Sequence, residues 1–508
     1  MTAKRSILSQ QPGISLLFRA VFLALILLPQ LTRAQEPIEM DSVFSANDLV
    51  EDLQLLEKRV RETHQNPFTY CTEAQLDSAF AAATDSVMEG ATFLEFAGYV
   101  ASALSVLKDS HTYLNFSMLG KHYKRSGGLY LNFSVLRLDN GNIVIENDGQ
   151  DILPSGSLIF TINGHNVYEL YDQVEQYSIF EGNSKRGNRR ITDAIFSSVV
   201  SMIIPVDSLN KVEYKSPGDR LPQRIEYPGK DYKTLKSESK KKWKITPDRD
   251  KEKTYDLEFF PDDSLALLTI GSFAKGRSGK YYRFLRRSFR EIRKKEAKYL
   301  AIDLRDNMGG QTNRMEEVFT YFSEEKFTVP TTIIARQSEI SKAHYDNTVK
   351  NFQRFMLKLF FGGSEKASNY LDIIELPVGT TDTLYYDEPE KRSKRNFFDG
   401  DVYLFVNGKT GSAGVNFAGC FQNYKLGEVI GEPCLGPLNG TWGNPAPYQM
   451  KNSGLNVYIS TIRSNTTDSF ETDPTPLSPG FYVAYDMKDL FHDRDTQLQF
   501  LMEMLREK

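Results

Sequence analysis

Cysteine, histidine and tryptophan are scarce in this chain of 508 residues, which has 3, 6 and 2 of them. Its cysteines, Cys71, Cys420 and Cys434, are odd in number and far apart, which excludes a disulfide scaffold. Cys420 falls on the predicted buried face of a helix, where a free thiol usually behaves as a small apolar side chain. The sequence has no HExxH motif and no Cys/His cluster, so we expect neither a metal nor another cofactor.

An excess of charge of one sign is missing too, because 62 Lys and Arg residues stand against 66 Asp and Glu residues. A nucleic-acid partner is therefore not expected. Beyond the N-terminal segment no apolar run is long enough to span a bilayer, so the mature chain should have no stable membrane span. The length predicts several domains, because single hydrophobic cores stop growing at about 250–300 residues.

The N-terminal segment has the pattern of a secretory signal peptide. Basic residues precede the apolar run Ala20–Leu28, and small residues stand three and one positions before a cut after Ala34. We therefore expect residues 1–34 to be removed and the protein to be exported, either to a periplasm or out of the cell. A membrane anchor is the alternative, but a spanning helix needs about 20 apolar residues.

Helical periodicity follows, with capping-box pairs at Ser45/Asp48 and Thr92/Glu95, and it predicts an N-terminal helical domain over residues 40–125. The apolar period then changes to two, and Asn140-Gly141 marks a hairpin, so residues 126–229 are predicted to be a β-rich module.

Inside this module, the segment Gly156–Leu170 resembles the G-D-x-I-x-x-I-N-G stretch of PDZ domains, with Ser157 where the aspartate usually stands. The charged segment Lys230–Lys253 is predicted to be a solvated linker that marks a domain boundary, because blocks of charge are usually exposed. A binding patch is the alternative for this segment.

Residues 254–508 alternate between strands and helices, as in an α/β fold with a largely parallel sheet. Two apolar strands, Tyr299–Leu304 and Val402–Val406, are each followed by a polar or glycine-containing turn and a helix. Ligands gather at the carboxyl ends of such strands, where helix N-termini present free N–H groups. Gly309-Gly310 and Ser412 both stand there.

Ser412 has two interpretations from its context alone. A serine at a strand-to-helix turn is most often a helix N-cap, but the position is also that of a nucleophile elbow. A nucleophilic serine needs a base, and His111 is the best-placed of the histidines, since we expect His64 and His165 in surface loops or turns. A structural role for His111 is the alternative.

Three motifs occur in a fixed order along the chain: Asp109-Ser110-His111-Thr112, the strand ending in Asp303-Leu304-Arg305-x-Asn307-x-Gly309-Gly310, and Thr410-x-Ser412-Ala413 leading to Gly431-Glu432-x-x-x-Gly436. In this order they resemble the tail-specific, or C-terminal-processing, serine peptidases. The resemblance covers nearly the whole mature chain. It implies an α/β fold in which residues 254–508 form a crotonase/ClpP-like catalytic core, preceded by the helical domain and an inserted PDZ-like module.

That family has two catalytic styles. One uses a Ser/Lys dyad, but the corresponding stretch Cys434–Asn444 contains no lysine. The other, the tricorn-core-like branch, uses a Ser-His-Ser-Glu tetrad, and Ser110-His111 fits its Ser-His pair. The resemblance therefore implies Ser412 as nucleophile and His111 as base.

The same resemblance implies Ser110 and a late glutamate as the groups that orient His111. Glu471 is the closest candidate for that acid, and Asp473 competes with it. The oxyanion would bind to backbone N–H groups of Gly310 (or Gly309) and Ala413, with no cofactor required.

Two departures from the family pattern are Val415, where many relatives have glutamate, and Met308, where glycine is common. The expected function is hydrolysis of peptide bonds near protein C-termini, in a protein or peptide substrate. The alternatives are a non-catalytic relative that binds hydrophobic ligands and an esterase-type acyl hydrolase. The sequence does not decide the oligomeric state.

Overall fold

The computed structural model describes residues 42–242, 254–323, 332–349, 371–385, 396–466, 473–486, 489, 492 and 494–507. The predicted signal peptide, the end of the charged segment and Glu471 lie outside the described residues.

The helices of the described residues begin largely where the sequence places caps. Ser45 caps the first helix through its side chain, and Thr92 and Glu95 form the predicted capping box. The helices are Ala46–Thr63, Glu73–Ser86, Phe93–Ser105, Phe116–Arg125, Val167–Glu175, Lys185–Ile203, Tyr232–Lys242, Ser278–Lys294, Thr312–Phe319, Glu339–Thr348, Ala413–Asn423 and Thr496–Arg506, with a 3₁₀ turn at Pro261–Asp263.

A six-stranded sheet, the core sheet, organises the second half of the chain. Its strands, in spatial order, are Tyr255–Phe260, Leu265–Ile270, Tyr299–Asp303, Asp401–Val406, Glu428–Gly431 and Phe481–Tyr482. Only the first strand is antiparallel to its neighbour, and the other pairs are parallel. The predicted, largely parallel α/β sheet is therefore present.

Alternating side chains of the core sheet bury both of its faces. Leu300 and Ile302 pack in a cluster with helices Ser278–Lys294, Thr312–Phe319 and Ala413–Asn423. Ala301 points to the opposite face, which helix Thr496–Arg506 covers with Leu501. Because side chains alternate along a strand, two buried faces require the nearly continuous apolar runs seen in the sequence.

A second six-stranded sheet, the module sheet, follows the first four helices along the chain and precedes the core sheet. It is antiparallel, and five of its strands are ordered Gln223–Pro228, Leu209–Lys215, Leu158–Ile162, Ile143–Asp148 and Phe133–Arg137, with His165–Asn166 paired to Leu158–Ile162. The hairpin predicted at Asn140-Gly141 is present, and a second hairpin joins Leu158–Ile162 to His165–Asn166; φ is positive at Gly141, Asn163 and Gly164.

The described start of the charged segment, residues 230–242, has regular structure, and its residues up to 237 are largely exposed. Lys230–Asp231 pairs with Leu129–Tyr130, and Tyr232–Lys242 is helical. Contacts with a distant part of the chain explain this structure, because Tyr130 pairs with Lys230 and its ring lies near Tyr232.

Smaller sheets join the two ends of the chain. Tyr113–Leu114 pairs with Asn456–Ile459, which also pairs with Ala446–Gln449. A four-stranded sheet is ordered Thr381–Tyr385, Thr332–Arg336, Ile462–Asn465 and Thr441–Gly443, and Val43–Phe44 pairs with Ala91–Thr92. The segment that carries His111 is thereby fixed against the last third of the chain. None of the helices described is long and apolar enough to cross a bilayer.

Candidate active site

Two neighbouring parallel strands of the core sheet end at the candidate site. Tyr299–Asp303 and Asp401–Val406 are paired in register, so the turns that follow them leave the same edge of the sheet. These turns are joined to each other: Thr410 Oγ1 donates to the carbonyl of Leu304 over 3.0 Å, and the N–H of Gly411 donates to the carbonyl of Asn307 over 3.0 Å. Ser412 is therefore held by a braced turn.

Ser412 stands at the N-terminus of helix Ala413–Asn423 in a strained conformation. Its φ is 50° and its ψ is −124°, and its side chain makes no capping hydrogen bond. Such backbone strain costs about 1–3 kcal/mol and persists only where the surroundings impose it. The side chain is partly accessible. The N-cap alternative is therefore disfavoured by the hydrogen bonding.

Gly309 touches this serine so closely that no side chain fits there. A Cβ at Gly309, where φ is +93°, would lie 2.7 Å from Ser412 Cβ and 2.7 Å from the nitrogen of Ala413. The N–H of Gly309 is already used, because it donates to Asn307 Oδ1 over 2.8 Å.

The N–H of Gly310 has a different orientation. The N–H of Phe273 donates to the carbonyl of Gly309, and the N–H of Gln311 donates to the carbonyl of Phe273. In this extended pairing the N–H of Gly310, between those two groups, points away from Phe273. Of the two glycines expected to bind the oxyanion, Gly310 therefore has the more available donor.

His111 lies beside Ser110 with its side chain 20 % exposed. Its Nδ1 is 3.1 Å from Ser110 Oγ, and its backbone N–H donates to Asp109 Oδ1 over 2.8 Å. Desolvation lowers the pKa of His111, and the negative charge of Asp109 opposes this effect. The ring is thus kept neutral at neutral pH, which is the state that a general base needs.

The expectation that His64 is exposed is wrong, although the residue does lie in the bend that ends the first helix. The side chain is 1 % exposed, its Nε2 lies 3.0 Å from Asp109 Oδ2, and its ring packs on Trp442 with 4.6 Å between centroids. Because the N–H of Asn66 donates to Nδ1 of His64, the proton is on Nε2 and the ring donates it to Asp109. Burial would raise the pKa of Asp109, but His64 and its other partners hold it below its usual value.

Glu181 is a site residue that the sequence analysis missed. It is 1 % exposed, and its Oε2 accepts hydrogen bonds from Ser110 Oγ over 2.9 Å and from Thr441 Oγ1 over 2.8 Å, while Oε1 accepts from the N–H of Trp442 over 3.0 Å. Burial raises the pKa of Glu181 to about 7, with the charge of Asp109 adding to the effect and these hydrogen bonds opposing it. Because Glu181 lies in a module loop outside every motif, no local pattern in the sequence points to it.

The turn containing Ser412 and the Glu181 loop are connected through Leu435. The N–H of Leu435 donates to the carbonyl of Thr410 over 2.9 Å, and the N–H of Glu181 donates to the carbonyl of Leu435 over 3.2 Å. In the described part of the chain, no hydrogen bond joins Ser412 Oγ directly to His111. Catalytic hydrogen bonds are often long without substrate and tighten in the complex.

Lys409 is close in sequence to Ser412 but is not available as a base. Its Nζ lies 2.8 Å from Asp306 Oδ1, and although burial favours the neutral amine, this carboxylate raises the pKa of Lys409 above its usual value. The stretch Cys434–Asn444, where the dyad branch would carry lysine, instead contributes Thr441 and Trp442, which both donate to the carboxylate of Glu181. Among the described residues no group of His, Cys, Asp and Glu side chains forms a metal site.

Of the two candidates for the late acid, Asp473 lies within the described residues, and there no hydrogen bond joins it to Ser110. Asp473 is exposed, and the hydrogen bonds from Thr475 lower its pKa. Glu471 lies outside the described residues, so its role stays a prediction.

Comparison with known proteins gives a family match over the catalytic region. Residues 264–476 match the model described as Peptidase family S41. This match confirms, over that region, the peptidase resemblance expected from the three sequence motifs. A search of curated proteins finds no match.

Solved structures match the fold over most of the chain. A CPAF mutant aligns with a TM-score of 0.65 at 10 % identity, covering 91 % of this chain and 97 % of that one. Mature CPAF complexed with lactacystin aligns with a TM-score of 0.59 at 10 % identity, covering 91 % and 98 %. Mature CPAF alone aligns with a TM-score of 0.57 at 11 % identity, covering 91 % and 97 %. At these identities the likeness concerns the fold.

Proposed function

We propose that this chain, a serine-type peptidase whose residues 264–476 belong to peptidase family S41, hydrolyses peptide bonds of protein substrates through Ser412 and His111. The observation that carries this proposal is the conformation of Ser412. Its strained backbone and uncapped side chain, held against Gly309 at the end of a parallel strand, are what a nucleophile elbow requires.

In the proposed mechanism, Ser412 Oγ attacks the scissile carbonyl while Nε2 of His111 takes its proton. The carbonyl oxygen becomes an oxyanion, which the N–H groups of Gly310 and Ala413 stabilise. His111 then gives the proton to the leaving amine, and water hydrolyses the acyl-enzyme by the same route. One oxyanion donor contributes about 3–4 kcal/mol of transition-state stabilisation.

Substrate contacts beside the nucleophile are proposed from the two departures noted in the sequence. Met308 is 48 % exposed, so this side chain can contact a bound peptide. Val415 is fully buried on the helix that follows Ser412, and so it acts in packing. The difference at Met308 is therefore the one that can alter specificity.

The finer description of the fold is also part of the proposal. A mostly parallel core sheet with helices on both faces supports a crotonase/ClpP-like core. The antiparallel module sheet with helix Lys185–Ile203 beside its edge strand supports a PDZ-like module. PDZ domains bind carboxyl termini by adding a strand at such an edge.

That edge of the module is occupied by side chains of the helix. Ser201 Oγ accepts from the N–H of Leu131 over 3.0 Å, and Asp193 Oδ1 accepts from the N–H of Arg137 over 3.0 Å. Ser197 donates to the carbonyl of Phe133. These backbone groups are not free to pair with an added strand. Binding of a substrate C-terminus by strand addition would therefore require another edge of the module sheet or displacement of helix Lys185–Ile203. Cleavage of peptide bonds needs neither.

Labelling with a fluorophosphonate probe tests the nucleophile and its base. The wild type should label, Ser412→Ala should not, and His111→Ala should label slower by a factor of about 10⁴. His165→Ala, which removes an exposed hairpin histidine, is the matched control and should label normally. Equal labelling of all four proteins would refute the mechanism. Parallel assays with casein and p-nitrophenyl acetate separate the peptidase from the esterase alternative.

Export is proposed from the sequence pattern of residues 1–34. If the signal peptide is cleaved after Ala34, the protein recovered outside the cytoplasm of an expression host begins at Gln35. N-terminal sequencing that finds Met1 on the exported protein would contradict this.

A further inference from the structure

We propose that Glu181, acting through Ser110, holds His111 in the tautomer that can accept the proton of Ser412, the role that the sequence assigned to Glu471. This inference rests on the proposed function of Ser412 and His111. Glu181 is a positioning residue, since it acts on the base through another side chain.

The direction of the hydrogen bonds among Glu181, Ser110 and His111 follows from which of these groups carry a proton to donate. An ionised carboxylate only accepts, so Ser110 must donate its single hydroxyl proton to Oε2 of Glu181. Ser110 Oγ can then interact with His111 Nδ1 only as an acceptor, which places the ring proton on Nδ1. In a neutral imidazole this leaves the lone pair of Nε2 free to act as the base.

A protonated Glu181 reverses this arrangement. Its O–H can donate to Ser110 Oγ, and Ser110 then donates to Nδ1 of His111. The ring proton moves to Nε2, where no lone pair remains to accept the proton of Ser412. The ionisation state of Glu181 therefore switches the base between a competent and an incompetent tautomer.

The surroundings of Glu181 set where this switch occurs. Burial and the negative charge of Asp109 both favour the neutral acid of Glu181. His111 lies beyond Ser110, and His64, Tyr70 and Arg463 lie against the ring of Trp442. Lys108 reaches the Glu181 loop, where its Nζ donates to Asn183 over 2.9 Å. The hydrogen bonds from Ser110, Thr441 and Trp442 favour the carboxylate. The resulting pKa of Glu181 is about 7, so the carboxyl changes its ionisation state near neutral pH.

Glu181→Gln is a sharp test because the structure dictates how the amide must lie. The N–H of Trp442 faces Oε1 of Glu181, so the amide oxygen takes that position and the NH₂ group faces Ser110. The NH₂ group donates to Ser110 at every pH and thus mimics the protonated acid. The variant should have the incompetent tautomer permanently.

The experiment measures the rate of fluorophosphonate labelling between pH 5 and 9, and the tautomer of His111 by long-range ¹H–¹⁵N NMR. In the wild type, labelling should rise with pH through about 7, with the proton on Nδ1 at high pH. Glu181→Gln should lower the labelling rate at pH 8 by a factor of about 100, on the scale of general-base contributions, and place the proton on Nε2. Glu175→Gln, a half-buried carboxyl of the same module, is the control and should keep both properties of the wild type.

Ser110→Ala keeps the test decisive if Glu181→Gln folds poorly. This variant removes the hydroxyl that connects Glu181 to His111 and leaves the carboxyl of Glu181 in place. It should lose the same labelling, and adding Glu181→Gln to it should cause no further loss. If Glu181→Gln keeps the wild-type pH profile of labelling and the wild-type tautomer of His111, the inference is overturned. It is also overturned if Glu471→Gln, and not Glu181→Gln, loses the rise of the labelling rate with pH. A wild type that never labels would refute the proposed function instead, and the tautomer measurement would still decide the role of Glu181.

Discussion

Adding one methyl group at Gly309 should slow catalysis because it displaces Ser412, an effect separate from the stability that any side chain at this positive φ would cost. In Gly309→Ala the new Cβ would lie 2.7 Å from both Ser412 Cβ and the nitrogen of Ala413, and 2.9 Å from the carbonyl oxygen of Gly411. Distances under 3.0 Å are not tolerated by real Cβ atoms, so the braced turn must move. A displacement of about 1 Å in a catalytic group can cost a factor of about 100 in rate.

Gly141→Ala is the matched control for the backbone strain alone. Gly141 has a φ of +87°, close to the +93° of Gly309, but a Cβ there meets nothing within 4 Å. Both variants should lose about 1–3 kcal/mol of unfolding free energy from the unfavourable φ, measured by urea denaturation. Only Gly309→Ala should label with fluorophosphonate about 100 times more slowly. If both variants label within twofold of the wild type, the placement of Ser412 does not depend on Gly309 and the reasoning fails.

Two further predictions concern buried charges. Arg190→Met should lower the unfolding free energy by about 3–5 kcal/mol, because it removes the bidentate partner of the buried Glu432 carboxylate. Among the described residues, Arg186 at 3.5 Å is then the cation that remains beside Glu432. The double variant with Glu432→Leu should recover most of this loss in urea denaturation, and a single variant that loses under about 1 kcal/mol would contradict the reasoning. Glu181→Gln should gain thermal stability relative to the wild type as pH rises from 5 to 8, because folded Glu181, with its pKa raised from 4.5 to about 7, holds a proton that the unfolded chain has released. The wild type therefore loses about 1.4 kcal/mol per pH unit between the two pKa values, and this loss levels off above about pH 7. An equal melting-temperature difference between variant and wild type at pH 5 and at pH 8 would count against a buried carboxyl with a raised pKa.

Local patterns in the sequence were sufficient to predict the elements that carry the site. The strands at Tyr299–Asp303 and Asp401–Val406 are apolar because both faces of the core sheet are covered. Each strand can therefore be recognised from its own residues alone. The cap at Thr92 and the hairpin at Gly141 depend on side chains within three residues and on positive φ, so they too were predictable.

Partners far along the chain decided the features that were not predicted. His64 precedes a loop with Pro67, which suggested exposure, but Asp109 and Trp442 bury it from positions 45 and 378 residues away. Glu181 meets Ser110 across 71 residues and Thr441 across 260. Periodicity and spacing do not reveal contacts between residues so far apart in sequence. Only the family resemblance indicated that an acid was needed to orient His111.

These long separations bear on when during folding the protein can become chemically active. Loops of this length close at an entropic cost that must be met before their contacts contribute, so contacts across them tend to form late. A chain in which residues 110, 181 and 441 have not yet met has a serine and a histidine but no means of orienting the ring. Hydrolytic activity is then a property of the completed fold, and partly folded chains should be poor at cleaving one another.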